Sequence, residues 1–193
     1  FASGFWSFHK PKDTTLSLVL EMKSELIKTL KQIMVLQTNE LKAISEIQES
    51  KEFKACINDF SENCGQIKVK VDNRTQTYNK KTQEIWATYL KSDDQLQSRY
   101  LEAPANNNGF LIKSNLNYFK TAYAASLEEA RQNEKLLTKT LKDLCDALDA
   151  LSCLNITLDM YATQYSALLL MNQDAVESLE TGKGNYVPES LSI

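Results

Sequence analysis

The chain has 193 residues, a formal net charge of −3 and 42% hydrophobic residues, enough for one domain with a substantial core. Its small, mixed charge argues against nucleic acid or an anionic membrane as partner. Every apolar run is much shorter than the roughly 20 residues of a membrane span, so we expect no membrane-spanning segment. The chain starts at Phe1 without the basic and apolar regions of a signal peptide, which fits either a mature product from which a signal was removed or a fragment of a longer chain.

An aromatic segment, residues 1–12, precedes the first predicted helix. It holds Phe5, Trp6 and Phe8 within four positions, and Pro11 separates them from the residues that follow. Large aromatic side chains are enriched in binding hot spots. We therefore take these three residues as candidates for partner binding, with packing back onto the helices as the alternative.

The first half of the chain shows helical periodicity from about residue 13. Asp13, Thr14 and Thr15 offer N-cap side chains, and apolar residues then recur every three or four positions up to Leu101. Breaks are expected at 48–55 or near Gly65. Alternation of apolar residues and lysines in 67–71 is compatible with a short strand, but the spacing of the next thirty residues favours helix.

The second half has the same periodicity after the strongest turn signal of the sequence, at 103–109. Residues 110–180 contain neither Gly nor Pro, and the expected bend in this arm lies at 155–157. We predict an all-α fold, either an antiparallel helical hairpin or an up-and-down bundle of long helices. The helical domain should span 13–181, followed by a C-terminal tail at 182–193.

Four cysteines lie symmetrically about that central turn. Cys56 and Cys64 are eight residues apart, and so are Cys145 and Cys153. Folding back at the turn brings Cys56 level with Cys153, and Cys64 level with Cys145. We predict these two interhelical disulfides. The alternative is local pairing, Cys56–Cys64 and Cys145–Cys153. Eight residues of intact helix separate their ends by roughly 12 Å, too far for a disulfide, so local pairing needs a non-helical bend in each arm, which Gly65 permits in the first.

Two glycosylation sequons accompany the cysteines, Asn73-Arg74-Thr75 and Asn155-Ile156-Thr157. Disulfides persist in oxidising compartments, and sequons are used in the secretory pathway. Together these features predict a secreted or extracellular glycoprotein with glycans on Asn73 and Asn155.

The search for catalytic or cofactor chemistry yields little. His9 is the single histidine. The C-x7-C spacing on helices does not supply the four closely spaced ligands of a structural zinc site, and no phosphate loop or nucleophile motif occurs. The acidic residues at helical spacing are best read as solvated faces: they are Asp93, Asp94, Glu128, Glu129, Asp143, Asp146 and Asp149. We predict a non-enzymatic protein without metal or cofactor.

A basic set near Asn73 is the second candidate for partner binding. Lys68, Lys70 and Arg74 belong to it, and Lys80 and Lys81 extend it. Such a set could attract an anionic glycan or phosphate, or it could be a solvated face balanced by nearby acids.

At the level of class, residues 14–181 resemble small secreted all-helical proteins that act by binding, in helix content, four cysteines and two sequons. Insect salivary or haemolymph proteins, parasite surface proteins and four-helix cytokines are examples. The resemblance implies a protein that modulates a host or cell-surface protein partner, with immunomodulation as one such role. The alternatives are a carrier of a small apolar ligand or lipid, and an intracellular scaffold or BAR-like membrane-binding module with free thiols.

Overall fold

The computed structural model describes residues 10–59, 62–102 and 150–181, together with isolated helical positions between 114 and 146. Within these residues the helices are α1 (Lys10–Glu49), α2 (Lys51–Asp59), α3 (Glu62–Glu102) and α4 (Ala150–Thr181). Every described residue except Ser50 is α-helical, so the predicted all-α class is confirmed. The predicted turn at 103–109 and the tail at 182–193 lie outside the described residues.

The first arm breaks at Ser50, inside the predicted interval. The Ser50 hydroxyl donates to the carbonyl oxygen of Ile47 at 2.7 Å and accepts from the backbone N–H of Phe53 at 3.1 Å. One side chain therefore closes α1 and caps α2. Gly65 lies within α3 and does not end a helix.

Two other predicted boundaries are wrong. Residues 155–157 lie inside α4, so the second arm does not bend there. Helix α1 begins at Lys10, ahead of the predicted caps at 13–15. Pro11 is compatible with that start, because a first helical turn needs no N–H from proline.

The 67–71 stretch is helical, which settles the alternative of a strand. Ile67 and Val71 are buried, whereas Val69 between them is exposed. Residues four apart share a face of a helix and residues two apart do not. The apparent alternation therefore comes from one helical stripe with an exposed valine beside it.

The chain divides into two compact units that share the long helices. The first unit comprises 1–32, 84–125 and 173–193, and the second comprises 33–83 and 126–172. The buried hydrophobic residues of the first unit come from three helices and position 116: Leu18, Val19, Met22, Leu26, Leu30, Tyr89, Leu96, Leu116, Ala175, Val176 and Leu179.

The second unit has a contiguous buried cluster, which we call the cysteine core. It consists of Ile44, Ile47, Phe53, Cys56, Cys64, Ile67, Val71, Tyr78, Leu154, Leu158 and Tyr165. All four helices contribute to it. Burial of a large apolar side chain contributes about 1.5–3 kcal/mol relative to exposure, so this cluster is a main source of stability for the unit.

Polar contacts in the second unit set the direction of two helices. Asn172 contacts Gln37, and Gln48 donates to the Asp159 carboxylate at 3.0 Å. Residue numbers rise along α1 as they fall along α4, so the two helices are antiparallel within this unit. This is the relative direction that a chain folding back between its halves produces.

Several apolar residues of the predicted stripe are exposed. Leu20, Leu90 and Leu101 are between 51% and 79% exposed. Leu20 and Leu90 each follow a buried neighbour, Val19 and Tyr89. Successive residues of an α-helix point about 100° apart, so the residue after a buried one can lie outside the stripe that faces the core.

Candidate functional site

The disulfide of the first arm is local. Cys56 is bonded to Cys64, with Cα atoms 5.2 Å apart, so the predicted pairs Cys56–Cys153 and Cys64–Cys145 are wrong. The reason is that the two cysteines belong to different helices, α2 and α3. The distance argument against local pairing assumed one uninterrupted helix between them.

Although the predicted disulfide pairing is wrong, the segments around Cys56, Cys64 and Cys153 do lie near each other. Leu154, next to Cys153, belongs to the same cysteine core as Cys56 and Cys64. Cys153 is buried and is itself disulfide-bonded, while Cys145 lies outside the described residues. The symmetry of the cysteines about the central turn thus indicated proximity but not connectivity.

An open groove of about 480 Å³ lies in the second unit. We call it the basic groove. One stripe of α3 supplies most of its lining, and α1 supplies one residue: the lining residues are Gln66, Val69, Lys70, Asn73, Arg74, Thr77, Lys81 and Glu40. Positions 66, 70, 74, 77 and 81 recur at three or four, which places them on one face of α3.

Positive charge dominates this groove. Arg74 donates through Nη2 to Glu40 Oε1 at 3.0 Å, so its charge is largely compensated. Lys70 and Lys81 are exposed, and the described part of the chain provides neither with a carboxylate partner. The groove therefore presents two uncompensated cations to solvent.

The structure brings together only part of the predicted basic set. Lys70 and Arg74 line the groove, and Lys81 joins them. Lys68 does not line it. Two positions from Lys70, it points about 200° away around α3, and its Nζ lies 3.5 Å from Asp72 Oδ2. Sequence reasoning missed Gln66, Thr77 and Glu40. The four-residue spacing could have identified the first two, whereas Glu40 comes from another helix and has no sequence signal.

A smaller opening of about 190 Å³ adjoins the groove. It shares Gln66 and Lys70 with the groove, and its other lining residues are Ile47, Ser50, Glu52 and Ile67. Lys70 therefore stands between the two openings, with the carboxylate of Glu52 on one side and the basic groove on the other.

Both sequon asparagines are exposed on helices. Asn73 lines the basic groove, and Asn155 is exposed on α4. The sequon threonines donate to helix carbonyls, Thr75 to Val71 at 3.1 Å and Thr157 to Cys153 at 2.8 Å. A glycan on Asn73 would occupy the groove, whereas one on Asn155 would project from a different helix.

The second unit also contains a cluster of three tyrosines. The ring centroids of Tyr165 and Tyr78 are 4.6 Å apart, and those of Tyr165 and Tyr161 are 6.1 Å apart. Burial raises the pKa of Tyr165, and the nearby Tyr78 and Glu40 add to this, while the Thr75 side chain opposes it. The Tyr165 phenol therefore stays protonated.

The first unit holds a buried ion pair on the described part of the chain. Lys120 Nζ lies 2.5 Å from Asp93 Oδ2, and Gln97 donates to the same oxygen at 2.7 Å. Lys120 also lies 5.8 Å from the Tyr89 ring centroid, within cation–π range. Burial, Asp93 and Glu25 raise the pKa of Tyr89.

This ion pair corrects one interpretation of the acidic residues. Asp93 is buried rather than part of a solvated face, and both Lys120 and Gln97 contact its Oδ2. Asp94, Asp143 and Asp146 are exposed as expected. Glu128, Glu129 and Asp149 lie outside the residues whose side chains are described.

The aromatic candidates for partner binding, Phe5, Trp6 and Phe8, and the single histidine, His9, lie outside the described residues. Among the described residues no group of three or more His, Cys, Asp or Glu is arranged to hold a metal ion. No described helix combines the length and apolarity needed to cross a membrane.

No family model, curated protein or solved structure matches the chain.

Proposed function

We propose that this protein is a secreted, non-enzymatic helical binding protein, and that the basic groove is the surface that recognises an anionic group of an extracellular or cell-surface partner. The observation that carries the proposal is the stripe of Lys70, Arg74 and Lys81 along one open groove. Clefts lined by one sign of charge focus the electrostatic field and raise the local concentration of oppositely charged partners.

The secreted location is supported by the cysteines. Cys56 is bonded to Cys64, and such bonds persist mainly in oxidising compartments. Free thiols are the feature that the intracellular scaffold requires, and Cys56, Cys64 and Cys153 are all disulfide-bonded. The exposure of Asn73 and Asn155 is compatible with glycosylation in the secretory pathway.

The proposal also covers the arrangement of the long helices. We propose that the long helices form an antiparallel hairpin or up-and-down bundle, which provides a rigid support for the groove. Antiparallel contacts between α1 and α4 in the second unit support this arrangement. The Arg74–Glu40 pair also supports it, because it ties α3 to α1 beside the groove.

Charge-neutral variants test this function. Lys70→Gln with Lys81→Gln removes both uncompensated cations and leaves the Arg74–Glu40 pair intact. Lys28→Gln with Lys91→Gln removes the same charge from exposed positions in the first unit. The measurement is binding of labelled full-length protein to the surface of intact cells as a function of salt concentration.

We expect wild-type binding that weakens as salt is raised, because salt screens exposed charges. The Lys70/Lys81 variant should lose most of this binding, and the Lys28/Lys91 variant should keep it. Equal losses in both variants would mean that only net charge matters, and unchanged binding in the groove variant would remove the groove from the proposal.

A further inference from the structure

We infer that the anionic partner of the basic groove is a linear glycan that carries sulfate or carboxylate groups along its length. This inference rests on the proposed function, because it names the chemistry of the partner that the groove binds. Three properties of the described lining support it: the spacing of the cations, the neutral polar groups between them, and the position of the carboxylates.

The cations are spread along the helix instead of converging on one point. Lys70 and Lys81 are eleven positions apart in α3, and a rise of 1.5 Å per residue places their Cα atoms about 16 Å apart. Arg74 lies between them, closer to Lys70. An extended chain with repeated anionic groups contacts both lysines together, whereas a compact phosphate or sulfate ion matches one of them at a time.

Neutral hydrogen-bonding groups lie between the cations and beside them. Gln66, Asn73 and Thr77 contribute amide and hydroxyl groups to the same stripe. Such groups suit the hydroxyls of sugar rings, because amide and hydroxyl side chains, like the sugar hydroxyls, both donate and accept hydrogen bonds. An acidic peptide offers far fewer side-chain hydroxyls of that kind.

The lining also favours a glycan over single-stranded nucleic acid. No residue lining the described groove is aromatic, and single-stranded nucleic acids are generally bound by stacking of bases on aromatic side chains. The Cys56–Cys64 disulfide in addition indicates an oxidising environment.

The carboxylates near the groove indicate which way the glycan runs. Glu40 is the only acidic residue in the described lining, its side chain is 14% exposed, and Arg74 neutralises it. Glu52 is exposed and lines the smaller opening beyond Lys70. Repulsion from Glu52 therefore directs a polyanion from Lys70 towards Lys81.

The test uses the full chain, produced without glycosylation, and measures affinity by calorimetry. The probes are heparin as a sulfated glycan, hyaluronan as a carboxylated one, and polyglutamate as an acidic polypeptide. The variants are Lys70→Gln/Lys81→Gln and its control Lys28→Gln/Lys91→Gln. A second pair, Asn73→Asp and Asn73→Gln, compares an added negative charge with a neutral change at one exposed groove position.

We expect at least one of the two glycans to bind and the Lys70/Lys81 variant to bind it roughly 10- to 30-fold more weakly, about fivefold for each lysine near an anionic surface. The Lys28/Lys91 variant should keep nearly full affinity. Asn73→Asp should weaken binding more than Asn73→Gln. Unchanged helical circular dichroism and melting temperature show that each variant is folded.

The results separate failure of this inference from failure of the proposed function. Polyglutamate binding that depends on Lys70 and Lys81, without glycan binding, overturns the glycan and leaves the groove as a protein-binding surface. Binding of any probe that is equal in the groove variant and its control overturns both proposals. Heparin binding without hyaluronan binding identifies sulfate as the recognised group, and the reverse identifies carboxylate.

Discussion

The side-chain amide of Asn172 donates a hydrogen bond to Gln37 Oε1 at 2.9 Å, and the two residues are only 1% and 2% exposed. They are 135 positions apart in the chain and join α4 to α1 within the second unit. A buried polar pair is stable only in the alignment that satisfies both partners. This contact therefore selects one register of the two helices.

Replacement of Gln37 by Leu should destabilise the protein by about 1–3 kcal/mol, because it removes a buried hydrogen bond between α1 and α4. Urea unfolding followed by circular dichroism measures this change. Gln32→Leu is the matched control, since Gln32 is exposed on the same helix. A loss of stability no larger than the control's would show that the pair does not contribute to the register.

Replacement of Lys120 by Met should cost about 3–5 kcal/mol, because it leaves the buried Asp93 carboxylate without its cation. Lys31→Met is the control: Lys31 pairs with Glu180 at 3.0 Å, but both side chains are largely exposed, so this change should cost less than about 1 kcal/mol. Thermal unfolding of the two variants gives the comparison. Adding Asp93→Asn to Lys120→Met should recover part of the loss, and no recovery would contradict the ion-pair explanation.

Stability should fall as the pH rises through about 10. Tyr89 and Tyr165 have pKa values raised by burial, so above the ordinary phenol pKa of about 10 the unfolded chain loses protons that the folded chain retains. The unfolded state then binds fewer protons, and the free energy of unfolding decreases with pH. Tyr165→Phe should make this decrease shallower in urea titrations between pH 8 and 11, and an unchanged slope would contradict the assignment.

Trypsin digestion without reduction should leave Cys56 and Cys64 in one peptide, residues 55–68, lighter by one pair of hydrogens than its reduced form. No lysine or arginine lies between Lys54 and Lys68, so the local bond cannot join two peptides. A species that joins 55–68 to 143–183 would instead support the pairing between arms. Loss of this disulfide should cost about 2–3 kcal/mol for a loop of this length.

Glycosylation of Asn73 should weaken binding at the basic groove, because the attached sugar occupies the space between Lys70 and Arg74. Protein from a glycosylating host should therefore gain affinity when its glycans are removed enzymatically. Asn155→Gln, which removes only the distant sequon, should leave this gain unchanged. Equal affinity of the glycosylated and deglycosylated forms would contradict the prediction.

The helical class could be predicted from the sequence because it depends on local periodicity. Ile67 and Val71 recur at four positions, and that spacing correctly outweighed the alternation with Val69. The bend near Ser50 was also accessible, since a short polar side chain that caps a helix is a local signal.

The wrong or missed predictions concern features that depend on tertiary contacts. Asp93 looks like any surface acid until Lys120, 27 positions away, neutralises it. The cysteine pairing failed for a related reason, since the spacing of Cys56 and Cys64 cannot reveal that two helices meet between them. Glu40 belongs to the groove only because α1 packs beside α3.

The Cys56–Cys64 bond contributes to the resistance of the protein to proteolysis. Helix α2 has nine residues, too few to be stable on its own in water, and its lysines 51 and 54 are exposed. The bond and the buried ring of Phe53 hold this helix in place. Reduction removes the covalent restraint, so the chain then becomes open to cleavage at Lys51 and Lys54 before the longer helices unfold. The durability of the molecule is thereby tied to the redox state of its surroundings.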